Sequence, residues 1–188
     1  MTPIELDASI GEMSNISIRH ATAEDARLIA SLHCASWRET YRGILDQAFL
    51  DSEIEQERLA VWSKRLRNPD SSQIVLIAHD DAEPVGFVCA FTDTDVRWGS
   101  MIDNLHVKAG LRGQGVGEYL LRTTAQTVAA TTETQGLHLW VFEANEAALR
   151  FYLRMGGEVV EREKSEIPAA HEAPALRMFW PDLASLKP

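Results

Sequence analysis

The fold class predicted by this sequence is a single α/β (α+β) domain: a mixed sheet with helices on both faces. Three observations carry the prediction. Two apolar runs, 73–78 and 85–91, flank a polar turn at 80–84, which is the pattern of an antiparallel hairpin. Later strand-like runs alternate with helical ones, as parallel strands with crossover helices do. A glycine-rich loop at 110–117 joins one such strand to a helix. The chain has 188 residues, of which 45% are hydrophobic, enough for one buried core and short for two domains.

Taken in order, residues 1–14 lack periodicity and read as a loose leader, which places the domain at 15–182. Residues 16–18 alternate apolar and polar as a short strand does. Thr22 stands before Glu24 and Asp25, and Ala26, Ile29, Ala30, His33 and Cys34 recur at helical spacing, so a capped helix of three turns is expected. Residues 37–45 link it, with a break at Gly43, to a second helix over 47–67 whose stripe is Phe49, Leu50, Ile54, Leu59, Trp62 and Leu66. The turn cluster 68–71 leads into the hairpin, and a third strand at 100–107 follows the polar turn 93–99. The glycine loop then opens a helix to about 130. A strand at 137–143, a helix at 146–155 ended by Gly156-Gly157, and strands at 158–164 and 175–180 complete the domain.

Composition removes several functions. The formal charge is -10, which argues against a general nucleic-acid binder, because phosphate contact needs a concentrated positive surface. No apolar run approaches the roughly 20 residues of a membrane-spanning helix, and the acidic start lacks the apolar centre of a secretory signal. Cys34 and Cys89 are too few for a disulfide framework, so a cytoplasmic protein is expected. The charge is unevenly spread. Residues 1–103 sum to -9 and 128–188 to -3, whereas 104–127 carry Lys108, Arg112 and Arg122 against Glu118, a net of +2. The positive stretch is also the glycine-rich one.

That stretch reads Leu105-His106-Val107-Lys108-Ala109-Gly110-Leu111-Arg112-Gly113-Gln114-Gly115-Val116-Gly117. It follows a strand and precedes a helix with apolar Leu120, Leu121, Ala125 and Val128. Unpaired N–H groups at a helix start, with glycines that admit close approach and an Arg fork, predict a phosphate-binding loop. The dinucleotide fingerprint fails because its third glycine is replaced by Glu118, and the P-loop fails because no Gly-Lys-Ser/Thr follows. What remains, Arg-x-x-Gly-x-Gly after a strand, resembles the acetyl-CoA pyrophosphate loop of the GNAT superfamily of N-acetyltransferases. The run from Asn145 through Ala148 and Phe151-Tyr152 to Gly156 matches the family's second pattern, about 30 residues on, and the order of elements agrees from Ile16 to Trp180.

The resemblance implies a GNAT-like fold and acetyl transfer from acetyl-CoA to a primary amine, small molecule or peptide, by direct attack in a ternary complex. It implies donor contacts at Leu105, His106 and Val107 through the main chain, the N–H groups around Leu105 and Val107 serving the thioester carbonyl oxygen and the pantetheine arm, and at Arg112, Gly113, Gln114, Gly115, Val116 and Gly117 in the loop. Asn145 would meet the pantetheine arm, and the Tyr152 hydroxyl would be the general acid at the sulfur. Seven residues put these two on one helix face about 10.5 Å apart. The base is open. Family members with a Glu early in the fourth strand have Met101 here; Asp103 shares its parity while His106 has the opposite parity. Asp103 and Glu39 are the candidate bases, with Glu143 or a water relay as alternatives. Trp37 and Tyr41 are candidate acceptor contacts.

No metal, nucleic acid or membrane is expected; a homodimer is among the states the family adopts. His171-Glu172 runs into Pro174 without the second His of a zinc helix, and His33 and Cys34 point about 100° apart on a helix. The competing reading is a non-catalytic acyl-CoA-binding or sensing module on the same fold.

Overall fold

The computed structural model describes residues 15–132 and 136–186; the expected leader at 1–14 lies outside them. Among the described residues, seven strands form one sheet: β1 Ile16–His20, β2 Gln73–Asp80, β3 Glu83–Asp95, β4 Gly99–Val107, β5 Leu137–Phe142, β6 Glu158–Lys164 and β7 Pro174–Trp180. Their spatial order is β1-β2-β3-β4-β5-β7-β6. Every neighbouring pair is antiparallel except β4 and β5, so the sheet is mixed, as predicted. Four α-helices, α1 Ala26–Thr40, α2 Ile54–Arg67, α3 Val116–Thr131 and α4 Glu146–Arg154, cover its two faces.

Alternation along β2 and β3 sets the layers. Val75, Ile77, Phe87 and Cys89 pack against Ile29, Ala30, Trp62 and Leu66 of α1 and α2. Their neighbours Leu76, Ala78, Val88 and Ala90 face Leu120, Leu121 and Val128 of α3 and Tyr152 of α4. Strands buried on both sides read as continuous apolar runs, which is why the hairpin was so plain in the sequence. Its turn is tighter than expected, since β2 runs to Asp80 and β3 starts at Glu83.

The first helix extends beyond the expected three turns, to Thr40, because Trp37 is buried beneath His33 and holds its final turn against the core. A wide π turn at Phe49–Glu53 leads into α2. At the other end of the chain, Leu183 and Leu186 of a 3-10 turn are buried against the α3 layer, so packed chain continues past 182.

Strand β4 differs from the expected regular alternation. Cys89 of β3 pairs with Asn104 and Ala90 with Ile102, leaving Asp103 as the extra residue of a β-bulge. A bulge resets the alternation. Met101 pairs with Phe91 and His106 with Phe87, so both face α1 and α2, which corrects the opposite parity expected for them. Beyond the bulge, β4 parts from β5: their pairing is confined to Ser100–Leu137, Met101–His138 and Ile102–Leu139.

Candidate active site

The parting of β4 from β5 opens a cleft of about 1840 Å³. One wall is β4 from Met101 to Val107, and the other is formed by Leu139 to Phe142 of β5 with Asn145 and Tyr152 of α4. The glycine loop closes one end, while α1, α2 and the segment 165–169 border the other.

The loop is shaped by backbone conformation. After a single 3-10 turn at Ala109–Leu111, Gly113 and Gly115 adopt φ of +80° and +86°, the left-handed region that side chains resist. Gly115 is the N-cap of α3 and offers no capping side chain, so the first N–H groups of that helix keep their capacity for an anion. A Cβ at Gly113 would meet nothing within 4 Å, so the loop surface is open there. Val116 is buried and anchors the helix start, and Gln114 folds back to donate to the Gly110 carbonyl at 2.9 Å. Arg112 reaches across to α1: Nη2 lies 3.0 Å from Thr40 Oγ1 and 3.5 Å from Glu39 Oε2, and Nε donates to the Val107 carbonyl at 3.4 Å.

On the opposite wall, Asn145 caps α4 by accepting the Ala148 N–H on Oδ1 at 3.3 Å. Tyr152, on the same helix, is buried and stands edge-on to Trp180. Burial pushes its hydroxyl far above the usual phenol range, with the Tyr41 hydroxyl acting in the same direction. Tyr41 is likewise pushed up to about 12 by burial, partly offset by the Asn145 side chain beside it. The structure thus brings Tyr41, Asn145 and Tyr152 together across the cleft.

Trp37 is buried on the cleft wall with the Arg58 guanidinium 4.8 Å from its ring centre. Asp103 also lines the cleft, where Arg65 Nη1 holds its carboxylate at 2.5 Å. Glu39 lies apart. It borders a separate small pocket between α1 and the end of β4, beside Arg112. Glu143 is engaged by Arg162 at 2.7 Å. Trp98 packs on Phe179 away from the cleft, whereas Trp140 is 36% exposed and lines it.

Sequence reasoning missed Arg58 and Arg65 of α2 and Ser36 of α1. Arg58 carried a signal: it lies four residues after Ile54 and four before Trp62, a cation in the middle of the buried stripe. Ser36 carried none, because its partner, His106 Nδ1 at 2.9 Å, is 70 residues away.

Residues 29–157 match the Acetyltransferase (GNAT) family. The chain is 27% identical over 175 residues to the uncharacterized N-acetyltransferase YuaI of Bacillus subtilis, covering 92% of this chain and 96% of that protein. It is 28% identical over 166 residues to the peptidyl-lysine N-acetyltransferase YjaB of Salmonella typhimurium, covering 88% and 99%. Among solved structures it superposes on the PaiA N-acetyltransferase of Thermoplasma acidophilum, crystallised in complex with coenzyme A. The TM-score is 0.71 at 19% identity, over 89% of this chain and all of that one. The chain therefore belongs to the GNAT family of acetyltransferases and is an acyltransferase.

Proposed function

We propose that this protein transfers the acetyl group of acetyl-CoA to a primary amine by direct attack in a ternary complex. One observation carries the reading: the cleft between parted β4 and β5 runs from a left-handed glycine loop at an uncapped helix start to the buried Tyr152 hydroxyl. Arg112 and the N–H groups from Gly113 to Gly117 suit a pyrophosphate. The main chain of Leu105, His106 and Val107 and the side chain of Asn145 would flank the pantetheine arm.

In the reaction, the neutral amine attacks the thioester carbonyl carbon; a C–N bond forms and the C–S bond breaks. The surplus proton on nitrogen leaves to water or to Asp103, the candidate base that lines the cleft. Tyr152, held protonated by burial, gives its proton to the departing sulfur and regains one from solvent. Glu39, which borders the separate small pocket and not the cleft, is the weaker candidate for the base.

The acceptor is proposed to be a cationic amine before it loses its proton. Glu53, Glu163 and Glu166 line the cleft, and the charge of residues 1–103 points the same way. The name of YjaB, a peptidyl-lysine N-acetyltransferase, agrees with an amine acceptor.

The test is Tyr152→Phe. Thiol release from acetyl-CoA should fall on the order of a hundredfold or more in kcat, the usual share of a general acid, with donor affinity kept. Unchanged turnover would remove Tyr152 from the acid role. Tight acetyl-CoA binding with no turnover by the wild type on any amine would establish the binding-module alternative instead.

A further inference from the structure

The side chain of His106 has no part in the roles above, and its surroundings define its chemistry. It faces α1, with its ring centre 4.7 Å from that of His33 and 5.3 Å from that of Phe87. Ser36 is buried, and the partner of its hydroxyl among the described residues is His106 Nδ1, at 2.9 Å. Among the described residues Nδ1 is the one acceptor within reach of this buried hydroxyl, so the Ser36 Oγ–H is assigned as the donor to Nδ1. The proton of the neutral ring is then on Nε2. His33 follows the same rule: Trp62 Nε1–H donates to its Nδ1 at 3.1 Å, so its proton is on Nε2 as well.

Both rings stay neutral. Burial pushes His106 down to about 3, with Arg112 and Arg58 acting in the same direction, and burial pushes His33 well below the usual range. The only buried side-chain polar atom left without a partner among the described residues is His33 Nε2. His106 Nε2 has no hydrogen-bond partner among the described residues and is not one of their buried unpartnered atoms; with His106 lining the cleft, Nε2 is open to cleft solvent.

We propose that, in addition to the main-chain N–H groups expected around Leu105 and Val107, the His106 Nε2–H is a catalytic hydrogen-bond donor to the thioester carbonyl oxygen, binding it most strongly as negative charge develops during attack. This rests on the acetyl-CoA reading of the cleft. The neutral N–H donor offers nothing to an ammonium, and the nearby Arg58 and Arg112 cations repel one. The same positive field strengthens the hold on a developing oxyanion over a neutral amide carbonyl of the arm. His106 keeps its proton throughout. The charge on oxygen forms as the C–N bond forms and returns to the carbonyl as the C–S bond breaks. Ser36 acts through His106 as a positioning residue that holds the ring through Nδ1.

The experiment compares wild type, His106→Leu, His106→Gln and Ser36→Ala. Acetyl-CoA affinity is measured by calorimetry. Turnover is measured by thiol release with spermidine or a lysine peptide, or with water as acceptor if neither is acetylated. In His106→Leu, kcat should fall on the order of a hundredfold, the usual share of one oxyanion donor, with acetyl-CoA affinity unchanged. His106→Gln, whose amide can donate, should recover much of the loss, and Ser36→Ala should lose part of it. Wild-type turnover in His106→Leu overturns the proposal, as does a loss confined to acetyl-CoA affinity or a Gln variant no better than Leu. If His106→Leu does not melt cooperatively, unchanged kcat in Ser36→Ala together with lost kcat in His106→Gln overturns it. A wild type that fails to bind acetyl-CoA would instead bring down the reading of the cleft itself.

Discussion

In the proposed role of holding a pyrophosphate, Arg112 would be drawn from the partners its Nη2 has on α1. Its guanidinium lies 3.5 Å from Glu39, and the two side chains are 43% and 50% exposed. A pair so exposed contributes about 0–1 kcal/mol, screened further by salt. A charged hydrogen bond to phosphate contributes roughly 1.5–3 kcal/mol, so the exchange favours the ligand. Arg112→Ala should therefore weaken acetyl-CoA binding by roughly 10- to 150-fold. Glu39→Gln should do the reverse, tightening it by up to about fivefold, because a competing anion has gone. Calorimetric titration of both variants and the double variant, at low and high salt, measures these effects. In the double variant the gain from Glu39→Gln should shrink to what remains of its bare repulsion of the ligand. The same Glu39 variant decides its candidacy as base: kcat should survive the substitution, and a collapse of kcat would restore that role. Unaltered donor affinity in Arg112→Ala, or weaker binding in Glu39→Gln, would refute the reasoning.

Stability offers two further checks. The Asp25 carboxylate is lowered to about 2, first by the Arg19 guanidinium at 2.7 Å and also by the Thr22 N–H. A depressed acid stabilises the fold above its unfolded pKa and loses that contribution as pH falls from about 4 toward 2. Asp25→Asn should thus lower the urea midpoint near neutrality by the equivalent of up to about 2 kcal/mol, less the screening of the half-exposed Arg19. The gap should narrow as pH drops below 4, and a gap independent of pH would deny the linkage. At Gly157, an added Cβ would stand 2.8 Å from Cζ2 of Trp180, a side chain fixed by its N–H bond to the Met155 carbonyl at 2.9 Å. Gly157→Ala should cost about 1–3 kcal/mol and lower Tm by about 2–4 °C per kcal/mol. Gly110→Ala, where a Cβ meets nothing within 4 Å, is the control and should melt like wild type.

What could be read from the sequence was what neighbouring residues decide together. The expected hairpin over 73–91, the loop from Lys108 to Gly117 and the face of α4 that joins Asn145 to Tyr152 each depend on fewer than twenty contiguous residues, and each lies where expected. The bulge at Asp103 was not legible, because an extra residue exists only relative to a partner strand, and β3 records no mark of it. Its effect reached the site: with the alternation reset, Met101 and His106 share a face that simple counting had divided. The pairing of Arg65 with Asp103, 38 residues apart, and of Ser36 with His106 was hidden for the same reason. Local pattern names the glycine-loop end of the cleft; long-range packing builds the end bordered by α1 and α2.

That division recasts the charge of -10. A protein this acidic ought to repel a polyanionic donor, yet screening over about 8 Å leaves only local charge to act. At the loop, that charge is the Arg112 guanidinium and the start of α3, with Glu39 as the counterweight. Toward the acceptor end, Arg58 and Arg65 are paired with Glu57 and Asp103, while Glu53, Glu163 and Glu166 also line the cleft. On the proposed reading, a cationic amine is drawn by these carboxylates and then meets, near His106, the positive field of Arg58 and Arg112. That field opposes an ammonium and favours its loss of a proton, so attraction at the rim and repulsion near the thioester act in sequence on the same nitrogen.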